Sequence, residues 1–163
     1  MLYHVNENDK VLGKISRDEA HSKLLLHRSG MVFLMNSNDK ILINMRSQKH
    51  ETFPSCYDSS VSFHVKYGET YEIAAKRETE EEIRIKSPLK FIGKFMHIDP
   101  PEYQILFVFL CVSNEKPIID PEEFSSGKFY SIKEAEKIVQ NENITPWFRE
   151  GWKILTKHLN TEL

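Results

Sequence analysis

The chain has 163 residues, of which 40% are hydrophobic, and its formal net charge is -2. This is typical of one globular domain, expected over 1–163, and the balanced charge argues against a nucleic-acid polymer as partner. The cysteines, Cys56 and Cys111, are too few for a disulfide framework. The longest apolar run, 105–112, is too short to span a membrane, and the first residues lack the pattern of a signal peptide. We therefore expect a cytoplasmic protein.

Strand and helix patterns alternate along the chain. In the N-terminal part, 1–27, two short apolar runs on either side of a turn at 7–9 predict a hairpin. The capping box Ser16–Glu19 then predicts a helix that continues to about Leu26. A second hairpin is predicted around the turn at 37–39.

The second half of the chain also mixes strands with helices. Residues 91–98 and 103–112 are rich in strand formers, and the second run is continuous enough for a central strand. Ser131 with Glu134 is another capping box, and Thr145–Pro146 suits the start of a last helix. Strands and helices interleaved in this way predict an α/β fold.

The segment GETYEIAAKRETEEEIRI, residues 68–85, has four glutamates among the five residues 78–82. Thr70 as N-cap, followed by small or apolar side chains at helical spacing, predicts a helix over 71–83. Three carboxylates would share one face of that helix: Glu78, Glu81 and Glu82. Like charges at this spacing repel each other, unless a divalent cation such as Mg²⁺ binds their oxygens. The pattern therefore indicates a metal site, and a solvated acidic face is the alternative.

The residues around this cluster resemble the signature of the Nudix hydrolases. Within a box over about 63–85, a glutamate, an Arg-Glu pair and a Glu-Glu pair match the signature at the required spacing: Glu69, Arg77–Glu78 and Glu81–Glu82. Gly68 also fits the usual start of the helix. Phe63 and Arg84 stand where the box has glycine, and Thr79 occupies an apolar position. The resemblance implies a Nudix-like α/β/α sandwich with a mixed β-sheet.

The same resemblance implies a set of roles. The metal would be Mg²⁺, with Mn²⁺ as an alternative, and its ligands would be Glu78, Glu81 and Glu82. Arg77 would orient a glutamate, with Glu69 as its bidentate partner. The general base is left open among Glu81, Glu82 and a third carboxylate in a later loop, Glu123.

The part of the chain before the box resembles the type I isopentenyl-diphosphate isomerases and their hydrolase-like relatives. His27 and His64 match metal-binding histidines of the isomerases, and Glu102 matches the first glutamate of their Glu-x-Glu pair. The catalytic cysteine of the isomerases corresponds to Ser62 here, and their second glutamate corresponds to Gln104. Moving a double bond needs both of those proton-transfer groups. The sequence therefore favours hydrolysis over isomerisation.

We predict a Nudix-type diphosphate hydrolase that is metal-dependent and acts by water attack at phosphorus. Its substrate would be a small molecule with a diphosphate (pyrophosphate) linkage, of the nucleoside diphosphate type or related to it. Two alternatives stay open: an isopentenyl-diphosphate isomerase-like protein, and a non-catalytic Nudix-fold binding module. The loops that would select the substrate carry no motif, and the sequence leaves the oligomeric state open.

Overall fold

The fold was analysed in a computed structural model that describes residues 1–141 and 143–161. The strands in this part of the chain are β1 (Leu2–Val5), β2 (Val11–Ile15), β3 (His27–Met35), β4 (Ile41–Arg46), β5 (Tyr57–Asp58), β6 (Val61–His64), β7 (Leu89–Asp99), β8 (Glu102–Val112) and β9 (Phe124–Tyr130). The helices are α1 (Arg17–Ser22), α2 (Tyr71–Ile83), α3 (Ile132–Val139) and α4 (Pro146–Thr161). All of the strands belong to one mixed sheet. None of the described helices is long and apolar enough to cross a membrane.

Strand β3 lies at the centre of the sheet. It pairs in parallel with β8 along its whole length and antiparallel with β6. It meets β4 only at the hairpin end, through Met35 and Ile41. Strand β4 pairs instead with β9 and β5. Beyond the turn, β3 and β4 therefore separate and pair with different strands. A cavity lies where they separate, and residues of both strands line it.

The sheet has a helical layer on each face. Side chains of β3 point alternately to the two faces, and each face forms a core with the helices that cover it. Met31 and Phe33 pack with residues of α3 and α4, among them Trp152. Val32 and Leu34 pack with residues of α2. The predicted α/β/α sandwich with a mixed sheet is confirmed.

Helix α2 begins and ends where the sequence predicted. The Thr70 side chain accepts a hydrogen bond from the Ile73 N–H at 3.1 Å, as an N-cap does. Arg84 takes the left-handed conformation that the glycine of the box would supply, with φ 58°. Thr79 is tolerated in its apolar position because its buried hydroxyl donates to the Ala75 carbonyl at 2.7 Å.

Helix α1 is shorter than predicted. The prediction to about Leu26 was wrong, since the helix ends at Ser22. Leu24 has a φ of 52°, which is incompatible with a continuing right-handed helix. Ser16 caps the helix as expected, but the Glu19 side chain pairs with Lys23. The chain is then free to turn back, so that β3 starts at His27.

Phe63 lies in the extended strand β6 and not in a left-handed conformation. Its ring lies over Gly30, the residue opposite it on β3, where any Cβ atom would overlap the ring. A bulky residue at the start of the box is therefore accommodated by a glycine on the neighbouring strand.

Candidate functional site

The cavity between the separated strands β3 and β4 has a volume of about 370 Å³. Residues of β6, β8 and α2 line it together with the loop before β9, and members of two candidate metal-binding groups are among them: His64 and Glu102 of one group, and Glu78, Glu82 and Glu123 of the other. One group is rich in histidine and the other contains only glutamates. Cations from Arg17, Arg46 and Lys66 also line the cavity, which makes it suitable for an anionic ligand.

The first group consists of four side chains from four different elements. His21 comes from α1, His27 starts β3, His64 ends β6 and Glu102 starts β8. One ligand atom of each side chain lies within 4.8 Å of the others. The Glu102 Oε2 atom lies 3.1 Å from His21 Nε2, 3.5 Å from His27 Nε2 and 3.7 Å from His64 Nε2. Side chains of separate segments thus converge on one point.

The four converging atoms are buried, and none of them makes a well-directed hydrogen bond. His27 Nδ1 lies 2.8 Å from the Leu25 carbonyl, which can only accept, so Nδ1 carries a proton and Nε2 is the nitrogen that faces the other three side chains. Burial lowers the pKa of His21 and of His64 and so favours neutral imidazoles, the form that binds metals. Buried, unpartnered donor atoms with this chemistry fit a divalent metal ion.

Glu102 is ionised in this setting. Burial by itself raises the pKa of this carboxyl group, but the neighbouring His27 and His64 outweigh it and hold the pKa below its ordinary value. The carboxylate is therefore available as an anionic ligand beside the three imidazole nitrogens.

The second group joins two carboxylates of α2 to a third from the loop before β9. Glu78, Glu82 and Glu123 all line the cavity. Glu82 is only 6% exposed, and its Oε2 atom has no hydrogen-bond partner. Burial raises the pKa of Glu82 well above its ordinary value, and the charges of Glu78 and Glu123 raise it further. Such mutual repulsion is relieved when a hard cation shares the oxygens.

Glu81 lies apart from these carboxylates. Its side chain is 57% exposed and borders a separate, shallow groove together with Arg77. Successive residues of a helix are rotated by about 100°, so Glu81 points toward solvent when the neighbouring Glu82 turns into the cavity, although Glu81 still shares the Arg77 Nη1 atom with Glu78. The three predicted ligands Glu78, Glu81 and Glu82 are therefore divided between the cavity and the outer groove.

Arg77 connects Glu69 to Glu78, the first of the predicted metal ligands. Its Nε and Nη2 atoms donate to the two oxygens of Glu69, at 2.6 and 3.0 Å, in the bidentate arrangement that the sequence suggested. Its Nη1 atom donates to Glu78 Oε1 at 2.5 Å. Gly68, with φ 100°, donates its N–H to the Tyr3 hydroxyl at 2.9 Å. The Arg77 side chain is thus placed to orient Glu78.

The loop carboxylate Glu123 is held by the loop that follows β4. Its backbone carbonyl accepts from the Ser47 N–H at 2.9 Å and lies 2.8 Å from His50 Nε2. Its side-chain Oε2 lies 3.3 Å from the same His50 nitrogen. These contacts place a carboxylate that is distant in sequence opposite Glu82.

Sequence reasoning missed His21, Arg46 and Asp58. His21 sits at the end of a short helix, and its spacing to His27 forms no motif because the chain turns between them. Arg46 is the last residue of β4, where a charged residue indicates solvent, yet it is 8% exposed. Asp58 resembles an ordinary loop residue in the sequence and is 1% exposed. Only the folded chain reveals these positions.

Comparisons with known proteins agree with this geometry. Residues 25–149 match the model of the NUDIX domain. The chain is 32% identical to an isopentenyl-diphosphate Delta-isomerase of Photorhabdus laumondii, over 96% of this chain and 95% of the relative. It is 33% identical to a prenyl-diphosphate phosphatase of Methanosarcina mazei, over 93% and 92%. A crystal structure from Deinococcus radiodurans superposes with a TM-score of 0.74 and 28% identity, over 88% of this chain and 91% of that one.

Proposed function

The chain belongs to the Nudix family, and from this premise we propose that it is a divalent-metal-dependent hydrolase of a small organic diphosphate. The observation that carries the proposal is that one cavity is lined both by His64 and Glu102 of the histidine-rich group and by the carboxylate group. Beside them lie the cations that a diphosphate requires.

The two ligand groups differ in the metal they suit. Three imidazole nitrogens and one carboxylate suit Mn²⁺ or Zn²⁺, whereas an all-carboxylate group suits Mg²⁺. Metal ions bound there would neutralise phosphate oxygens and lower the pKa of a coordinated water molecule. Among the predicted residues, we propose Glu78 and Glu82 as ligands of the carboxylate group; the position of both in the cavity lining, together with Glu123, supports this. Glu82 and Glu123 are the two bases closest to that chemistry, with Glu81 as the exposed alternative.

The organic part of the substrate is proposed to be apolar. Leu2, Leu106, Phe124 and Trp147 line the cavity beside the charged groups. A short prenyl chain fits such a lining better than a ribose does, since hydroxyl groups buried against it would lose their hydrogen bonds to water. The phosphatase named among the relatives acts on prenyl diphosphates, which supports the same class.

The test is a panel of prenyl and nucleoside diphosphates assayed with Mg²⁺ and Mn²⁺, with release of phosphate and of diphosphate measured separately. We expect turnover of prenyl diphosphates and a fall of about a hundredfold or more in kcat for Glu82→Gln. Glu72→Gln, on the exposed side of the same helix, is the matched control and should retain the wild-type rate. Metal-dependent binding without any turnover would contradict hydrolysis and support the non-catalytic alternative.

Isomerisation is the second candidate, because the histidine-rich group includes the residues that match isomerase ligands and several relatives are named isomerases. The structure places Ser62 and Gln104 at the same cavity, so neither a thiol nor a second carboxylate is present at those positions. The Ser62 hydroxyl lies 3.1 Å from the Ser59 hydroxyl. Without these proton-transfer groups we expect no conversion of isopentenyl to dimethylallyl diphosphate, and its detection would favour this candidate.

A further inference from the structure

Asp58 is a buried carboxylate beside the cavity that has no role in the chemistry proposed above. Its Oδ1 atom accepts hydrogen bonds from the Ser59 N–H at 2.7 Å, from Thr145 Oγ1 at 3.0 Å and from Trp147 Nε1 at 3.2 Å. Its Oδ2 atom lies 3.5 Å from Arg46 Nη1. The end of β4 and the start of α4 therefore meet at one carboxylate.

Arg46 is also held on its other sides. Its Nε atom donates to the Phe53 carbonyl at 3.2 Å, and its Nη2 atom donates to the Thr52 carbonyl at 3.0 Å. The guanidinium group lies over the Trp147 ring, 5.7 Å from the ring centroid. A guanidinium group has more N–H donors than these contacts use. Since Arg46 lines the cavity, its remaining donors are available to an anion bound there.

The cavity also contains carboxylates that compete for this cation. Glu82 and Glu123 line it, and Glu82 has an oxygen without a hydrogen-bond partner. An unrestrained arginine would form a charge-assisted pair with one of them. Such a pair would occupy oxygens that a metal ion needs and would withdraw the N–H donors from the ligand. A buried anion outside the cavity lining prevents this by holding the cation in place.

We propose that Asp58 is the positioning residue of the anion-binding side of the site. It holds Arg46 so that the free N–H groups meet the phosphate oxygens, and it keeps Arg46 from pairing with Glu82 or Glu123. The identification of the anion as a diphosphate rests on the proposed function, whereas the arrangement of Asp58 and Arg46 does not. Through Trp147, the same contact fixes the first turn of α4 against the cavity.

The experiment measures the binding of inorganic diphosphate, in the presence of Mg²⁺, by calorimetry. The variants are Arg46→Met, Asp58→Asn and the double variant. Loss of a charge-assisted contact predicts that each single variant binds about tenfold more weakly or worse. The double variant should bind no more weakly than Arg46→Met alone, because Asp58 acts through Arg46. Asp39→Asn is the matched control: Asp39 is exposed in a turn at φ 56°, which asparagine tolerates, and affinity should not change.

Two outcomes would overturn the inference: an Asp58→Asn affinity within about twofold of the wild type, or losses that add in the double variant. If Asp58→Asn does not fold, Trp147→Phe replaces it, since this change keeps a ring but removes the N–H donor to Asp58. It should weaken binding in the wild-type background and not in the Arg46→Met background, and equal losses in both would overturn the inference. In turnover, Asp58→Asn should raise KM more than it lowers kcat. A wild type that binds diphosphate without hydrolysing any substrate would contradict the proposed function and leave this inference standing.

Discussion

Glu102 is the residue that makes the histidine-rich group a candidate metal site. Its Oε2 atom and three imidazole nitrogens face one another without hydrogen bonds inside the protein. A carboxylate only accepts, and a neutral imidazole nitrogen without a proton also only accepts. Acceptors brought this close are unfavourable unless a proton or a metal ion lies between them. The residue chemistry therefore calls for a cation.

The first prediction concerns Glu102→Gln, which keeps the size of the side chain and removes its charge. We expect the variant to lose the tightly bound metal ion, measured as metal content after purification and dialysis. It should also lose a metal-induced gain in the free energy of unfolding, which is about 3 kcal/mol when free metal exceeds the Kd about a hundredfold. Glu72→Gln, an exposed glutamate on α2, should keep both properties. Unchanged metal content in Glu102→Gln would exclude the group as a metal site.

At the scale of residues, the resemblance indicated three of the four members of the histidine-rich group, His27, His64 and Glu102. It missed His21. The reason is that a lone histidine carries no local signal. His21 becomes a ligand candidate only because α1 packs beside β8 and directs its imidazole at Glu102. The roles of all four remain predictions until metal binding is measured.

At the scale of elements, α2 was predictable because its determinants are local. The N-cap at Thr70, the spacing of Ala74 and Ala75, and the left-handed exit at Arg84 all lie within the segment itself. The end of α1 was not predictable in the same way. Leu25 packs with the core residues Leu2, Ile15 and Ala20, and this long-range contact favours leaving the helix at Ser22.

The second prediction concerns the exit of α2. Arg84→Gly should raise the free energy of unfolding by about 0.5–1 kcal/mol, because glycine adopts a positive φ without strain although it gains more entropy in the unfolded chain. Chemical denaturation measures the change. Arg84→Ala is the control, since it removes the charge and keeps the strained backbone, and it should give no stabilisation. Equal stabilisation by both variants would show that charge and not backbone conformation is the cause.

At the scale of the whole molecule, the site depends on the docking of α4 against the sheet. Gly151 faces β3 where any Cβ atom would overlap the Met31 side chain, and Phe33 lies beside it. This close approach brings the start of α4, with Thr145 and Trp147, to Asp58. The packing of α4 against β3 therefore also positions Trp147, which lines the cavity.

The third prediction tests this docking. Gly151→Val should lower the free energy of unfolding by at least about 2 kcal/mol, because the added methyl groups overpack a fully buried contact. Urea unfolding measures the loss. Gly13→Val is the matched control: no atom lies within 4 Å of a Cβ at Gly13, and its change should stay within about 0.5 kcal/mol. A Gly151→Val protein as stable as the wild type would mean that α4 is not packed this closely.

The sequence by itself determined the α/β class, the helix over 71–83 and the spacing of the box, because periodicity, capping and charge spacing act over a few neighbouring residues. The tertiary structure alone decided which carboxylates face the cavity: Glu82 turns inward opposite Glu123, while Glu81 turns outward. It also decided the burial of Arg46 and Asp58. Those outcomes depend on contacts between segments far apart in the chain, and a local pattern carries no information about them.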